Sequence, residues 1–577
     1  MADATYSAMI VSGYSRAAAV LADLRREWLR TTILVAAVAL LAWLILYPLA
    51  ILFNLGFRTR DGAFTLANYA AVFSEPGLVS ALVNSFVIST ATTFFSLLIA
   101  LPMAWGISRT AMPGKQFIRL AVLVAFVMPN FITAIAWILL AGPNAGLINV
   151  FLRDFFGVAR GWSVFSQGGL ILVLTFSFYP LVFFATTAAL DNMDPSYEEA
   201  AQMSGASSWR GSFGISLPLV LPAIVSSSVF VFLEAMGAFG APAAIGNAAY
   251  FHTLTTKIYE LFSYPPRFEL AAAAATPIII FTVLGLMLQR YAIGRRRFTV
   301  ISAKPKAARA VEIGAARWLL FGFSVLVIFV SVVLPLLVLI RTSFVQRWGR
   351  PTTWENLTLK NYAAMLDPAT ILPGAVFNSL VISAGTATIC VVLALFIVWL
   401  VERTVLPGRA LLTFLSTVTF AFPGIALAVG FVLGYRDPPL ALYGTIWLFF
   451  VAFTAHRFPF AFQFVRNGVK QLSSELEDAG RMSGASWTRT LVDISVPLLK
   501  SGILAAWMMV FAVTLRELSM AVLLNVRGTE TLPIAIFNFV DNGTFEMAAA
   551  ASVVLIVMSI LSVAALRWLS GKAQMEV

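Results

Sequence analysis

The sequence predicts an all-α polytopic membrane protein with about twelve transmembrane helices, arranged as two parallel repeats of six helices. Three observations support this fold class. Of the 577 residues, 60% are hydrophobic and 11% are charged, whereas soluble domains carry about 25% charged residues. Many apolar runs reach the roughly 20 residues that are needed to cross a bilayer. Short motifs also recur in the same order in both halves of the chain, which indicates a duplication.

Twelve apolar segments are predicted spans. In the first half they are residues 32–56, 80–107, 117–141, 168–190, 219–240 and 271–292. In the second half they are residues 317–341, 378–401, 410–434, 443–465, 498–523 and 547–569. We divide the chain into a leader (1–31), a first repeat (32–293), a basic linker (294–316), a second repeat (317–570) and a tail (571–577).

The repeated motifs lie in corresponding places of the two halves. They pair Asn84-Ser85 with Asn378-Ser379, Arg109-Thr110 with Arg403-Thr404, Pro129 with Pro423, Tyr179-Pro180 with Phe458-Pro459, and Phe268-Glu269 with Phe545-Glu546. Because each repeat has an even number of spans, both repeats have the same orientation, and an axis along the membrane normal relates them.

The basic residues predict which side of the membrane is cytoplasmic. The formal net charge is +12, and Lys and Arg cluster at one set of span ends and in the linker. The positive-inside rule places this side, with both termini, in the cytoplasm. Such a charge alone is also compatible with nucleic-acid binding. A basic linker beside anionic lipid headgroups is the better interpretation, so we expect a bilayer and no nucleic acid as partner.

Each half contains one polar stretch between apolar segments, which we call the first polar loop (residues 194–218) and the second polar loop (residues 473–497). The first contains Glu199-Ala200-Ala201, Gly205 and Ile215-Ser216-Leu217-Pro218. The second contains Asp478-Ala479-Gly480, Gly484 and Ile494-Ser495-Val496-Pro497. The internal spacing is identical, and the two glycines are 279 residues apart.

Local sequence predicts two short helices in each polar loop. Two Ser-x-x-Glu patterns are capping boxes that start the first helix, namely Ser196 with Glu199 and Ser474 with Glu477. Gly205 and Gly484 stand where that helix would end, because glycine accepts the left-handed conformation of a C-terminal cap. A serine such as Ser486 then caps the second helix.

The pattern of both polar loops resembles the EAA loop of the membrane subunits of ABC importers. The resemblance implies a type I importer permease in a bacterial inner membrane, working with a periplasmic substrate-binding protein and two copies of a cytoplasmic ABC ATPase. It implies that the loops dock on the ATPases, and the residues it assigns to this coupling are Glu199, Ala200, Ala201, Gly205, Asp478, Ala479 and Gly484. Asp478 and Gly480 depart from the family pattern, so equal docking by the two loops stays open.

The chain carries none of the phosphate-binding or catalytic motifs that would make it an enzyme by itself. The resemblance implies that ATP and Mg belong to the ATPase partner, and we predict no cofactor and no metal site in this chain. A membrane-embedded enzyme is disfavoured because the sequence shows no cluster of His, Cys or carboxylate residues. The other class of function that stays open is an ion-coupled secondary transporter, since parallel repeats suit it too.

Glu234 lies within the fifth predicted span, and Arg516 and Glu517 lie within the eleventh. A charge at the bilayer centre costs roughly 2.5–3.5 kcal/mol on insertion scales, so these residues should face the interior of the bundle. One interpretation makes them gate or path residues. The other is a structural ion pair in which Arg516 serves one or both acids. In a secondary transporter, Glu234 or Glu517 would carry a proton.

The stretches 234–242 and 515–519 resemble the iron(III)-type branch of the importer permeases, which shares the fused two-repeat layout. The resemblance implies iron(III) as the substrate, with phosphonate, thiamine and polyamine permeases as related alternatives. Ala238 departs from the branch, which usually carries aspartate before the residue corresponding to Phe239. The missing acid weakens the expectation of a cation path.

Overall fold

The computed structural model of the chain describes residues 32–158, 161–194, 196–205, 212–294, 313–350, 353–404, 408–419 and 422–570. Within these ranges the regular structure is helical, apart from two isolated β-bridges, Arg58–Phe64 and Val345–Leu357. The predicted all-α fold is confirmed. The leader, most of the basic linker and the tail lie outside the described residues.

Twelve helices lie within the described residues of the first half. They are α1 (Thr32–Gly56), α2 (Ala67–Ser74), α3 (Pro76–Arg109), α4 (Lys115–Val127), α5 (Asn130–Ala141), α6 (Leu147–Phe156), α7 (Gln167–Asp191), α8 (Ser196–Met203), α9 (Leu217–Gly237), α10 (Gly240–Gly246), α11 (Leu254–Glu260) and α12 (Phe268–Gly294). A π-helical turn, Ser212–Ser216, leads into α9.

The second half has a similar order in its described residues, although no helix there corresponds to α6 and the fifth span is divided into α21 and α22. Its helices are α13 (Ala316–Ser343), α14 (Lys360–Ala363), α15 (Leu372–Arg403), α16 (Arg409–Val418), α17 (Gly424–Gly434), α18 (Ile446–Gln471), α19 (Ser474–Met482), α20 (Trp487–Thr490), α21 (Val496–Leu498), α22 (Lys500–Leu515), α23 (Ala521–Leu524), α24 (Leu532–Asp541) and α25 (Phe545–Ser570). A π-helical turn, Leu491–Ser495, again precedes the fifth span of the repeat.

Nine of these helices are long and apolar enough to cross a membrane, counted over the described residues: α1, α3, α7, α9, α12, α13, α15, α18 and α25. The predicted spans at 117–141, 410–434 and 498–523 are not single straight helices in the structure. The first is the pair α4 and α5, bent by 97°, and the last is broken before α22, with a bend of 70°. The span predicted at 410–434 consists of the shorter helices α16 and α17.

Proline explains the break between α4 and α5. Met128, which precedes Pro129, has an extended backbone with ψ of 120°. The proline ring clashes with a helical conformation of the residue before it, so the helix ends at that point. Pro423 occupies the same place before α17, and its own ψ of 144° matches the 143° of Pro129 before α5. A proline at equivalent positions, Pro129 and Pro423, therefore marks the break in both halves.

The first span of each half packs against the other half. In α1, the Tyr47 hydroxyl donates to the carbonyl oxygen of Gly434 at 2.8 Å, and Trp43 lies edge-on to Tyr435. In α13, Ser331 lies 3.3 Å from the hydroxyl of Tyr179 in α7. The two halves are thus interlocked by an exchange of their first spans.

Close packing of small residues holds the centre of the bundle together. Residues 271–275 of α12 and residues 548–551 of α25 are alanines, and all are fully buried. Lipid tails are as apolar as the side chains, so association of helices in a membrane depends on close contact, which small residues permit. The alanine runs are therefore packing surfaces in both halves.

Both polar loops lie on the same face of the bundle, and α13 establishes this. Near its start, Phe321 packs against Gly114, next to the ion pair of Arg119 with Asp191, the last residue of α7. The first polar loop begins there. Over its 28 residues, α13 then crosses about 42 Å at 1.5 Å per residue, so its other end lies on the opposite face.

At that opposite face, α13 meets the segment that precedes α15. The Asn361 side-chain amide donates to the Ser343 carbonyl oxygen at 2.9 Å, shortly before α15 begins. The 32 residues of α15 return about 48 Å, and Arg403 at its end contacts Glu477 of the second polar loop. The two loops therefore lie on one side of the protein, as the predicted even number of spans per repeat requires.

Enlarging Gly430 tests the exchange of first spans. A Cβ atom at Gly430 would meet the backbone of Pro48 in α1, so Gly430→Leu should destabilise the protein by about 1–3 kcal/mol, the usual cost of overpacking. The measurement is the thermal unfolding midpoint of the purified protein. Gly322→Leu in α13 is the control, since no atom lies within 4 Å of its added Cβ. Equal midpoints for the two variants would contradict the proposed contact.

Candidate functional site

The polar loops contain the predicted helices and the predicted glycine ends. The helices are α8 and α19, and they are followed by Gly205 with φ of +83° and Gly484 with φ of +84°. Among the described residues, no atom lies within 4 Å of a Cβ added at either glycine. The backbone conformation, not lack of space, is therefore what favours glycine at these two turns.

The predicted coupling residues lie in or directly after these helices. In the second loop, Asp478, Ala479 and Gly484 are exposed, and Gly205 is exposed in the first. Residues 199–201 lie within α8, but their side chains fall outside what the structure describes. The coupling role of Glu199, Ala200 and Ala201 therefore stays a prediction.

A glutamate one position before the predicted motif is buried in the first loop. Glu198 accepts a hydrogen bond from the hydroxyl of Ser216 and forms an ion pair with Arg109 at 3.5 Å. Arg109, the last residue of α3, is 2% exposed and donates to the carbonyl oxygens of Leu190 at 2.8 Å and Met193 at 3.3 Å. One arginine thus joins the ends of α3 and α7 to α8.

The second loop repeats this arrangement. Glu477 accepts hydrogen bonds from the Ser495 hydroxyl at 3.0 Å and from Nε of Arg403 at 3.3 Å. Arg403, the last residue of α15, also donates to the carbonyl oxygens of Val469 at 3.1 Å and Leu472 at 2.8 Å. We call Arg109, Glu198 and Ser216 the first anchor cluster, and Arg403, Glu477 and Ser495 the second anchor cluster.

Glu477, the predicted capping-box partner of Ser474, uses one carboxylate oxygen to bind Arg403 and Ser495. The side chain of Ser474 lies outside what the structure describes, so the capping box of the second loop stays a prediction. The bond from Arg403 is charge-assisted, and such bonds are the stronger ones. In the first loop, the Ser196 N–H donates to the Asp194 side chain at 2.9 Å.

Both loops expose matching apolar side chains. Tyr197 and Leu476 are 49% and 48% exposed, and Met203 and Met482 are 91% and 90% exposed. The members of each pair are 279 residues apart, the offset that separates Gly205 from Gly484. Methionine is flexible and adapts to the surface of a partner. Each loop therefore presents a repeated apolar contact surface beside its anchor cluster.

The charged residues inside the bundle form an ion pair that the sequence did not predict. Glu517 forms its ion pair with Arg457 of α18, and both side chains are largely buried. Its other oxygen accepts the N–H of Met520 at 3.0 Å. Arg457 was absent from the predicted gate residues. Glu517 thus pairs with Arg457, while Arg516 interacts electrostatically with Glu234, so the interpretation in which Arg516 serves one of the two acids stays open.

Arg516 instead binds the broken end of α4. Its Nη1 donates to the carbonyl oxygens of Phe126 at 2.7 Å and Val127 at 3.2 Å, and its guanidinium lies 5.1 Å from the centre of the Phe126 ring. The last carbonyls of a helix have no partner within the helix. An arginine from the second half thus satisfies the carbonyls that the bend in the first half leaves free.

Glu234 lies in a cavity between the two halves. The cavity has a volume of about 370 Å³ and is lined in part by Glu234, Arg457, Arg516, Glu517, Asn130 and Ser177. Glu234 interacts electrostatically with both arginines, and its side chain is exposed to the cavity. The structure therefore brings the three predicted gate residues together and adds Arg457 to them.

An aromatic cluster, which we call the closure, joins the two halves on the side of the bundle away from the polar loops. The ring of Phe239 lies 5.1 Å from Tyr259 in α11 and 5.7 Å from Phe537 in α24, measured between ring centres. These three residues come from both halves. Among the described residues, no group of three His, Cys, Asp or Glu side chains is placed to hold a metal ion.

Comparison with known families supports this organisation. The family described as binding-protein-dependent transport system inner membrane component matches residues 76–298 and 403–574, which together are more than half of the chain. The chain belongs to this family. The match includes both polar loops, and the two matched regions reflect the duplication seen in the helices. The permease is therefore an integral membrane component of an ABC importer.

Individual relatives of the permease are named for different substrates. The ferric transport system permease protein FbpB of Actinobacillus pleuropneumoniae is 26% identical over 557 residues, which is 93% of this chain and 78% of the relative. The molybdenum transport system permease protein ModB of Haemophilus influenzae is 31% identical over 37% of this chain and 92% of its own length. A putative 2-aminoethylphosphonate permease, PhnV of Salmonella choleraesuis, is 27% identical over 41% of this chain and 91% of its own length.

Repetition in the sequence marked the anchor clusters of the permease but not Arg457, whose only signal was a charge inside the predicted span 443–465. Glu198 and Glu477 have the same 279-residue offset as the loop glycines, and Arg109 and Arg403 belong to a repeated motif. Repetition of an acid and of a base near the same loop indicates a conserved pair within the duplication. The position equivalent to Arg457 in the first half is Phe178, so no repeat marks it.

The Arg457–Glu517 pair can be tested by a double-mutant cycle. Arg457→Met alone should destabilise the permease by about 3–5 kcal/mol, because it leaves a buried acid without its partner. Adding Glu517→Gln should recover most of that loss. The measurement is thermal unfolding of the purified protein.

Arg153→Met is the control for this cycle, since Arg153 pairs with Asp154 at the surface with both side chains more than half exposed. It should change stability little. If the double variant unfolds as early as Arg457→Met alone, the buried pair is not the cause of the loss.

Proposed function

We propose that this permease translocates iron(III), delivered by a periplasmic binding protein, and that two cytoplasmic ABC ATPases dock on the first and second polar loops. The observation that carries the proposal is the pair of equivalent polar loops on one face, each with an exposed methionine beside a buried anchor cluster. Two matching surfaces on one side suit two copies of one motor subunit.

The docking surfaces have the character of a protein interface. Met203 and Met482 project from the ends of α8 and α19 with little contact to the rest of the chain. Buried anchors hold these helices in place, so the apolar side chains are presented in a fixed geometry. Methionine and aromatic residues are enriched in protein interfaces. A groove on an ATPase is the occupant that the importer class supplies.

We assign the face that bears the polar loops to the cytoplasm. Arg109, Lys115 and Arg119 lie near the first loop and Arg403 and Arg409 near the second, and cytoplasmic span ends carry an excess of such residues. The opposite face, closed by the aromatic cluster, would then receive the binding protein. Both chain termini are predicted to be cytoplasmic.

The cavity supports a transport path at the interface of the halves. It holds Glu234 from α9 of the first half and Arg457 from α18 of the second. We propose that the aromatic cluster separates this cavity from the face that is away from the loops. Closure of the ATPases on ATP would move the two halves about this interface, exposing the cavity to the other side. Glu234, Arg516 and Glu517 are the proposed gate or path residues.

The proposal of iron(III) rests on the extent of similarity to the ferric permease, which covers nearly the whole chain. The matches to the molybdenum and phosphonate permeases each cover less than half of it. The cavity contains two acids and two arginines, and position 238 is alanine. A phosphonate is the alternative substrate, because arginine guanidinium groups bind such oxyanions.

A charge placed on the exposed methionines tests ATPase docking. The double variant Met203→Asp, Met482→Asp should lose co-purification with the ATPase, since each new carboxylate would have to be buried unpaired in the docked complex. Each single variant should retain one of the two docking sites. The measurement is the molar ratio of ATPase to permease after affinity purification.

Leu366→Asp is the matched control for docking, because Leu366 is 85% exposed and lies on the face away from the loops. It should keep the full ratio of ATPase to permease. Full co-purification with the double variant would show that the ATPases bind elsewhere.

Substrate identity requires transport by the complete system. Proteoliposomes containing the permease, its ATPases and its binding protein should accumulate radioactive iron(III) only when ATP is supplied inside. Molybdate and 2-aminoethylphosphonate are the competing substrates to test with the same vesicles. Accumulation of a phosphonate without iron would replace iron(III) as substrate while leaving the transporter class intact. Uptake that an uncoupler abolishes and ATP depletion spares would contradict the class itself.

A further inference from the structure

We infer that α3 and α15 transmit movement of the polar loops to the closure on the opposite face, and that Arg109 and Arg403 are the positioning residues for this transmission. The inference rests on the proposed docking of ATPases at the loops. Beyond docking, one helix in each half would link the two faces, and the ion pair of its terminal arginine would connect that helix to the polar loop.

Contacts with several other helices hold the end of α3 and of α15 that lies beside the polar loop. Arg109 binds the end of α7 through the Leu190 carbonyl, α8 through Glu198, and, by way of Glu198, Ser216 before α9. The cluster is buried, so separating α8 from α3 would leave unpaired charges in a medium of low dielectric constant. When the loop moves, the end of α3 has to move with it.

The other end of α3 holds the segment that follows α9. The Asn84 side-chain amide donates to the His252 carbonyl oxygen at 3.0 Å, and the Ser85 hydroxyl accepts the N–H of Leu254 at 2.7 Å. Leu254 is the first residue of α11, which carries Tyr259 of the aromatic cluster. The helix that binds the loop therefore also binds the closure.

The second half repeats this attachment. The Asn378 side-chain amide donates to the carbonyl oxygens of Gly528 and Glu530 at 3.1 and 3.0 Å, and the Ser379 hydroxyl accepts the N–H of Leu532 at 2.7 Å. Leu532 begins α24, which carries Phe537. The repeated Asn-Ser motif thus has one structural role in both halves.

The two attachments have the same separation in each helix. Ser85 and Arg109 are 24 residues apart, as are Ser379 and Arg403, which is about 36 Å along a helix. Each helix is continuous between them, although α3 contains Pro102. A continuous helix with side-chain attachments at both ends transmits displacement over that distance, and duplication has preserved the length between the attachments.

The test uses the complete transporter with spin labels on the closure. In a Cys390→Ser background, labels at Tyr264→Cys and Asn542→Cys report the separation of the two halves beyond α11 and α24, where both side chains are exposed. The unmodified anchors should allow this distance to change on ATP binding. With Arg109→Met and Arg403→Met together, the change should be lost.

The same double variant should transport about tenfold less substrate per ATP hydrolysed, which is within the usual range of coupling between sites. The more conservative pair Arg109→Lys, Arg403→Lys keeps the charge and should restore part of the coupling. Arg466→Met is the matched control: Arg466 pairs with Glu402, next to Arg403, at 2.5 Å and should couple normally.

Two outcomes overturn the inference, and both differ from failure of the proposed function. One is a label distance that still changes on ATP binding in the methionine double variant. The other is an unchanged ratio of uptake to hydrolysis. If the methionine variant does not fold, Ser216→Ala with Ser495→Ala removes only the hydroxyl groups, and an unaltered ratio in that variant counts against the inference. Failure of the proposed function would show earlier, as absence of ATPase binding to the unmodified permease.

Discussion

The buried ion pairs between Arg109 and Glu198 and between Arg403 and Glu477 are the interactions on which the cytoplasm-assigned face depends. Neither pair adds much to the free energy of unfolding, because the cost of desolvation offsets much of the attraction between buried charges. What a buried pair fixes well is geometry: each partner has one place where its charge is compensated. Such pairs therefore suit a joint where a short polar helix has to keep its position relative to a long apolar one.

Backbone polar groups impose the second constraint. In a membrane, an unpaired carbonyl costs several kcal/mol, so a bend in a span is tolerated only where other groups satisfy the freed positions. The bend between α4 and α5 exposes the carbonyls of Phe126 and Val127, and Arg516 of the other half binds them. Arg516 therefore meets two needs at once, since it satisfies a helix end and also places its charge at the cavity.

The sequence predicted what local rules and repetition specify. The loop pattern occurs twice, which predicted one polar helix in each half. The preference of glycine for positive φ predicted that these helices end at Gly205 and Gly484. Pairing partners across the bundle escaped prediction, because Arg457 is distant from Glu517 in the chain and has phenylalanine as its repeat equivalent. Proline breaks were visible as residues, but a bend of 97° follows only from how the next helix finds its place in the bundle.

The exchange of first spans has a consequence for how the protein is made. Tyr47 in α1 binds Gly434, 387 positions later in the chain, so α1 leaves the ribosome long before its packing surface exists. During that interval its aromatic face is covered by lipid or by the insertion machinery. Assembly of the second half then completes the first, which gives a single fused polypeptide an advantage: the two halves are always synthesised together and in equal number.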